Sequence, residues 1–170
     1  MSVKEELRFE LMETRNAYHR LLAEIPDEAF SRPSDNPAWT IGEVLFHMSL
    51  APRFMTTDLR IILTRPGLAR MFAAFVPVPL FNRVNDLYTS FGARNLNRSF
   101  LQDQYDKAHQ RALKALDSLQ ESDFQTTVWY PGYDPQLSGV VTVERLFHYI
   151  KLHFDSHAGQ IRERLGGILV

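Results

Sequence analysis

"TVERLFHYIKLHFDSHAGQIRERLGG", residues 142–167, combines a regular apolar stripe with two histidines spaced four residues apart. The spacing of its apolar residues predicts an amphipathic helix, and the glycine pair at its end is a typical helix stop. On a helical wheel with His153 at zero, His157 lies about 40° away and Leu146 about 20° away. Both imidazoles are therefore predicted to lie at the margin of the buried face, one helical turn apart.

Three further segments carry one apolar stripe each at helical spacing: residues 3–25, 40–59 and 98–119. Thr40 and Glu43 form the pattern of a capping box, which predicts that the second helix begins there. Pro52 lies inside the same segment and is expected to kink or split it, since proline removes a backbone donor. The fold class predicted from these segments is all-α, a four-helix bundle with a long crossover connection between the second and third helices.

The connections are long and differ in composition. Residues 65–96 contain three prolines and two glycines, which argue against one continuous helix, yet the segment is rich in Phe, Val and Leu. It is therefore expected to pack over one end of the domain, or to form part of a lid or a partner interface. In the loop before residue 142, "TTVWY" (126–130) is a candidate for a short extended stretch, and no sheet is predicted.

Length and composition are typical of a soluble globular protein, and residues 1–170 are interpreted as a single domain. The net charge of −1 gives no basic face for nucleic acid, and no apolar run approaches the roughly 20 residues of a membrane span. The charged N-terminus has no secretory signal, so a cytoplasmic location is expected. The chain has no cysteine, so any thiol chemistry requires a thiol from a small molecule.

A third histidine joins the pair in this interpretation. His47 lies on the second predicted helix and shares its buried face with Val44 and Ala51. Because buried imidazoles need partners, three of them facing one interior predict a divalent metal site with His47, His153 and His157 as ligands. Three protein ligands leave a coordination position open, as in catalytic sites.

The remaining histidines are assigned elsewhere. His19 and His148 are predicted to lie on the surface, and His109 at the rim of the third helix's stripe, where it is the first substitute for His47. Asp155 lies between the two paired histidines but is predicted to face solvent. Gln160 is interpreted as a packing residue or as a partner of a ligand histidine.

Two segments resemble the signature segments of the DinB/YfiT-like superfamily: "WTIGEVLFH" (39–47) and "HFDSHAGQI" (153–161). The likeness extends over the whole chain in helix order. It implies a four-helix bundle with a crossover connection, and a divalent metal held by His47, His153 and His157. Nickel or zinc is the metal most often found in that family, and manganese and iron are also compatible. Characterised relatives include enzymes that use low-molecular-weight thiols such as mycothiol and bacillithiol.

The functional hypothesis is a metal-dependent enzyme acting on a small-molecule substrate, a transferase that uses a low-molecular-weight thiol. One alternative is a metal-dependent hydrolase, for which the same three histidines suffice. The other is a non-catalytic dimeric module with a structural metal. The apolar segment 65–96, with Phe46 and Leu152 outside their helix stripes, favours a homodimer. No catalytic residue beyond the metal ligands is identified, and the substrate stays open.

Overall fold

The computed structural model describes residues 2–68, 71, 76–94, 96–134 and 136–166, and most of them are helical. Its main α-helices within these ranges are α1 (Val3–Glu24), α2 (Ile41–His47), α3 (Leu50–Thr64), α4 (Val78–Gly92), α5 (Arg98–Ser118) and α6 (Val143–Leu165). A two-stranded antiparallel hairpin is formed by β1 (Thr127–Asp134) and β2 (Leu137–Thr142). The prediction of a helical protein is thus confirmed in its main part, whereas the hairpin corrects the all-α class.

The helix starts follow from local capping. The Thr40 side chain accepts a hydrogen bond from the Glu43 amide, and the Thr40 amide donates to Glu43 Oε2 at 2.7 Å, which is the predicted capping box. The predicted split near Pro52 is also present, because α2 ends at His47 and α3 begins at Leu50. Pro52 lies in the first turn of α3, where its missing amide proton has no helical partner to lose. His47 is therefore the last residue of a short helix that ends at a break.

Helices α1, α3, α5 and α6 pack against one another in pairs. Helix α1 packs against α5 and α6, and α3 packs against the same two helices. Tyr18 of α1 stacks on Tyr105 of α5 with ring centroids 3.6 Å apart, and the Tyr18 hydroxyl donates to the Leu45 carbonyl oxygen at 3.1 Å. The second contact holds α2, whose last residue is His47, against α1.

The hairpin and α4 cover one side of these helices. Thr127 pairs with Thr142, and Trp129 pairs with Val140, so the hairpin leads directly into α6 at Val143. Helix α4 contacts α2 and β1. No helix within the described residues is long and apolar enough to cross a membrane.

Helix α4 lies within the segment 65–96, where the sequence argues against one continuous helix, and it covers Val78–Gly92. Pro77 caps α4 and Pro79 lies in its first turn, so both prolines stand where a helix tolerates them and begin it instead of preventing it. Residues 69, 70, 72–75 and 95 lie outside the described residues. Phe46, expected on a partner surface, is buried in the core and packs against Phe100 and Gly92.

Candidate metal centre

Three histidines meet at one point of the interior. His47 comes from the end of α2, and His153 and His157 come from successive turns of α6. One candidate ligand nitrogen from each ring lies within 4.8 Å of the others, and the Nε2 atoms of His47 and His153 are 3.1 Å apart. The structure thus brings together the three residues selected from the sequence, whose role as ligands stays a prediction.

The other nitrogen of each ring determines which lone pair is free. His157 Nδ1 lies 2.9 Å from Gln160 Oε1, an acceptor, so this nitrogen carries the proton and Nε2 is left free. His47 Nδ1 lies 3.4 Å from the hydroxyl of buried Thr89 on α4. His153 Nδ1 is buried and has no hydrogen-bond partner among the described residues. Gln160 contacts His157, which fits its interpretation as a partner of that histidine, whereas no sequence pattern indicated the contact of Thr89 with His47.

Burial keeps these imidazoles neutral. It lowers the pKa of His47 to about 3, with a further decrease from the charge of His157. It also lowers the pKa of His153 well below 6.5, and that of His157, against the opposing effects of Gln160 and Asp134. Neutral imidazole is the form that binds metal ions.

The donor set fits a divalent ion. Zinc binds imidazole nitrogen at about 2.0–2.1 Å, so two such nitrogens on one ion lie about 3 Å apart. The Nε2 atoms of His47 and His153 show this separation. Two nitrogens at this distance would repel each other if both presented only a lone pair. A proton or a cation must lie between them, and the three residues together could hold a metal ion.

A cavity of about 580 Å³ opens beside the histidines, between α3, α4, the hairpin and α6. Its walls are mainly apolar and aromatic, and its acidic groups are bound by tyrosines. The Tyr149 hydroxyl donates to Asp134 Oδ2 at 2.7 Å, and the Tyr130 hydroxyl donates to Asp58. Burial raises the pKa of Asp58, and the hydrogen bond from Tyr130 lowers it in part.

Sequence reasoning missed both tyrosine–aspartate pairs. Asp58 and Tyr130 are 72 positions apart and belong to no local motif. Tyr149 offered a usable signal, because it lies one helical turn before His153 and therefore on the same side of α6. Asp134 is not visible from the sequence, since its position depends on the hairpin.

The remaining histidines correct the predictions made for them. His109 is completely buried instead of lying at a rim. Its Nδ1 atom lies 3.3 Å from the Tyr105 carbonyl oxygen, and His109 is not part of the three-histidine cluster. His148 and His19 are half-buried instead of exposed, because the charged faces of α6 and α5 pack against α1. Their partners are, respectively, Glu10 at 3.0 Å and Asp106 at 2.7 Å.

Asp155 is exposed, as predicted, and pairs with Lys151.

The fold and the cluster define a class: a mainly helical protein with three convergent histidines at the end of an apolar cavity. The model of the DinB superfamily matches residues 10–161, so the chain belongs to that superfamily and the resemblance is confirmed.

Two crystal structures of mycothiol-dependent maleylpyruvate isomerase, one of them a histidine-to-alanine mutant, are similar to this chain. The TM-scores are 0.68 and 0.66, at 13% and 14% sequence identity, and the likeness covers 94% of this chain. It spans 62% of the length of each isomerase chain, and at this identity it shows the fold alone. No curated protein matches the sequence significantly.

Proposed function

We propose that this protein is a metal-dependent enzyme, a transferase that uses a low-molecular-weight thiol on a small-molecule substrate. The observation that carries the proposal is the convergence of three neutral imidazoles at a large apolar cavity. His47, His153 and His157 would hold the ion, with nickel or zinc as the first candidates and manganese or iron next. The thiol dependence named in the similar isomerase structures supports the choice of co-substrate.

A bound divalent ion would supply Lewis acidity, which favours the thiolate form of a thiol at neutral pH. Burial disfavours the imidazolium form of His47 and His153, so each neutral ring keeps one nitrogen with a free lone pair. The apolar cavity walls offer water few hydrogen-bonding partners beside the reacting groups. Since the chain has no cysteine, both the thiol and the electrophile must enter this cavity from solution.

We also propose a helix arrangement and a cellular location for this protein. Helices α1, α3, α5 and α6 would form the four-helix bundle of a single domain over residues 1–170, with residues 65–97 as its crossover connection. The alternating contacts of α1 and α3 with α5 and α6 support this arrangement. A cytoplasmic location is proposed because that compartment keeps thiols reduced.

Metal analysis tests the site directly. Protein purified without an affinity tag should contain about one equivalent of a divalent metal, and His153→Ala should contain almost none. His19→Gln is the matched control, because His19 pairs with Asp106 away from the cluster, and it should retain the metal. A content below about a tenth of an equivalent in the unmodified protein would refute the metal site.

Thiol consumption separates the proposed transferase from its alternatives. With a panel of electrophiles, the metal-loaded protein should consume added mycothiol or bacillithiol, and His153→Ala should not. Hydrolysis of esters or amides without thiol would support a metal hydrolase instead. If the protein binds metal, shows neither activity and unfolds when the metal is removed, a structural metal is the better account.

A homodimer is also proposed, from the surface of α4. Leu80, Val84, Leu87 and Phe91 are all more than half exposed and follow one another at helical spacing. An apolar stripe of this kind is typical of an interaction surface. Light scattering should give twice the chain mass, and Leu87→Glu should give the monomer mass; a monomeric unmodified protein would contradict this part.

A further inference from the structure

We propose that the cavity beside the three histidines selects a substrate with an aromatic or aliphatic body and a cationic end, such as a primary amine. The inference rests on the proposed function, because it names the substrate class for that site. Its basis is the combination of aromatic walls and two carboxylates in one cavity of about 580 Å³.

The walls fit an apolar body and favour a cation. Phe81 stacks on Tyr133 with centroids 4.1 Å apart, and Phe54 meets Tyr88 edge to face at 5.7 Å, so rigid rings line the space. Aromatic faces carry negative electrostatic potential and attract ammonium groups. The same rings offer an apolar ligand a large contact surface.

The carboxylates supply the charge. Asp58 and Asp134 line the cavity, and each accepts a hydrogen bond from a tyrosine, Tyr130 and Tyr149 respectively. Over the part of the chain that the structure describes, no lysine or arginine lines the cavity. Both carboxylates are half-buried, and a neutral hydroxyl compensates their charge incompletely, so an ammonium group entering the cavity would stabilise them.

The same groups disfavour an anionic substrate. Two carboxylates balance the two positive charges of a divalent ion, so a dicarboxylate would enter a cavity without excess positive charge. Arg53 lies over the Tyr88 ring, 5.6 Å from its centroid, and is the group to examine if an anion binds. The charge pattern therefore separates cationic from anionic substrates of equal size.

Three probes with the same body test this selectivity: 4-phenylbutylamine, 4-phenylbutanol and 4-phenylbutyrate. Their affinities are measured by calorimetry at neutral pH on the metal-loaded and the metal-free protein. On the metal-free protein, where no ion balances the two carboxylates, the amine should bind about tenfold more tightly than the butyrate. Asp58→Asn and Asp134→Asn should each weaken amine binding about tenfold and leave the alcohol unchanged. Asp103→Asn, at an exposed pair with Lys107, is the control and should change neither.

Several outcomes would overturn the inference: no probe binds, the butyrate binds best, or both aspartate variants keep the affinity for the amine. Butyrate binding that is lost in Arg53→Gln would identify an anion site in its place. Failure of the proposed function is seen separately, in metal content and thiol consumption. Probe selectivity on metal-free protein depends on neither of them.

Discussion

The three-histidine cluster and His109 are two buried imidazole sites with similar electrostatics and different surroundings. Burial lowers the pKa of His47 to about 3 and that of His109 to about 4. Each site also holds a ring nitrogen without a hydrogen-bond partner among the described residues, His153 Nδ1 and His109 Nε2. His109 nevertheless stacks on Tyr105, 4.3 Å between centroids, inside the packed interior. The cluster borders a cavity.

The difference shows that burial and a lowered pKa do not by themselves define a functional site. The cluster is distinguished by convergence, since three nitrogens approach one point, and by access from the cavity. His109 has neither property and is interpreted as a packing residue. A metal ion can satisfy three neutral nitrogens together, whereas a single enclosed imidazole offers it one ligand.

The largest expected effect is on metal binding, and it separates the two sites. His153→Ala should lower the affinity for nickel or zinc by more than about 100-fold, because a ligand is lost. His109→Phe, which keeps a ring against Tyr105, should leave the affinity unchanged. Competition with a chromophoric chelator measures both values. Equal losses of metal affinity in the two variants would show that both substitutions act through folding instead of through coordination of the metal.

A second prediction uses the pH dependence of stability in metal-free protein. Unfolded His109 takes up a proton near pH 6.5, whereas the folded protein resists protonation until about pH 4. Its contribution to stability is therefore fully present above pH 6.5 and is lost as the pH falls toward 4. In that window, His109→Phe should reduce the slope of the unfolding free energy against pH by about 1.4 kcal/mol per unit.

Urea titrations at several pH values measure this slope. Asp103→Asn, with an exposed carboxylate, should keep the slope of the unmodified protein. Identical slopes in the unmodified protein and His109→Phe would mean that His109 is accessible to protons in the folded state.

The smallest expected effect concerns the orientation of His157. Gln160→Ala removes the acceptor at His157 Nδ1 and should weaken metal binding about tenfold, because the ring is no longer held in one tautomer. Gln160→Glu keeps an acceptor and should restore most of the affinity. If Gln160→Ala binds metal as tightly as the unmodified protein, Gln160 contributes to helix packing alone.

The helices were predictable wherever local rules govern them. The capping box of Thr40 and Glu43 and the split near Pro52 follow from interactions within a few residues. The sequence does not predict helix α4, because prolines within a segment argue against a continuous helix, whereas Pro77 and Pro79 stand at a helix start. The short stretch "TTVWY" indicated the first strand of the hairpin, but the second strand has no strong alternation of apolar and polar residues.

The candidate site was partly predictable for the same reason. His153 and His157 lie one turn apart on a single helix, so their common side follows from helical geometry. His109 was misplaced because its position beside the stripe of α5 does not show how deeply neighbouring helices cover it. Thr89, Asp58 and Asp134 could not be assigned, since each joins the site through a partner on another element.

The amino-acid order alone determined the main helices, their caps and the inward pairing of two histidines, because these depend on neighbours within one or two turns. Tertiary structure decided that His47 lies within 3.1 Å of a histidine 106 positions away, and that aromatic rings and two aspartates enclose the adjoining space. Contacts over such separations depend on how whole helices and the hairpin pack, and no local pattern specifies that packing.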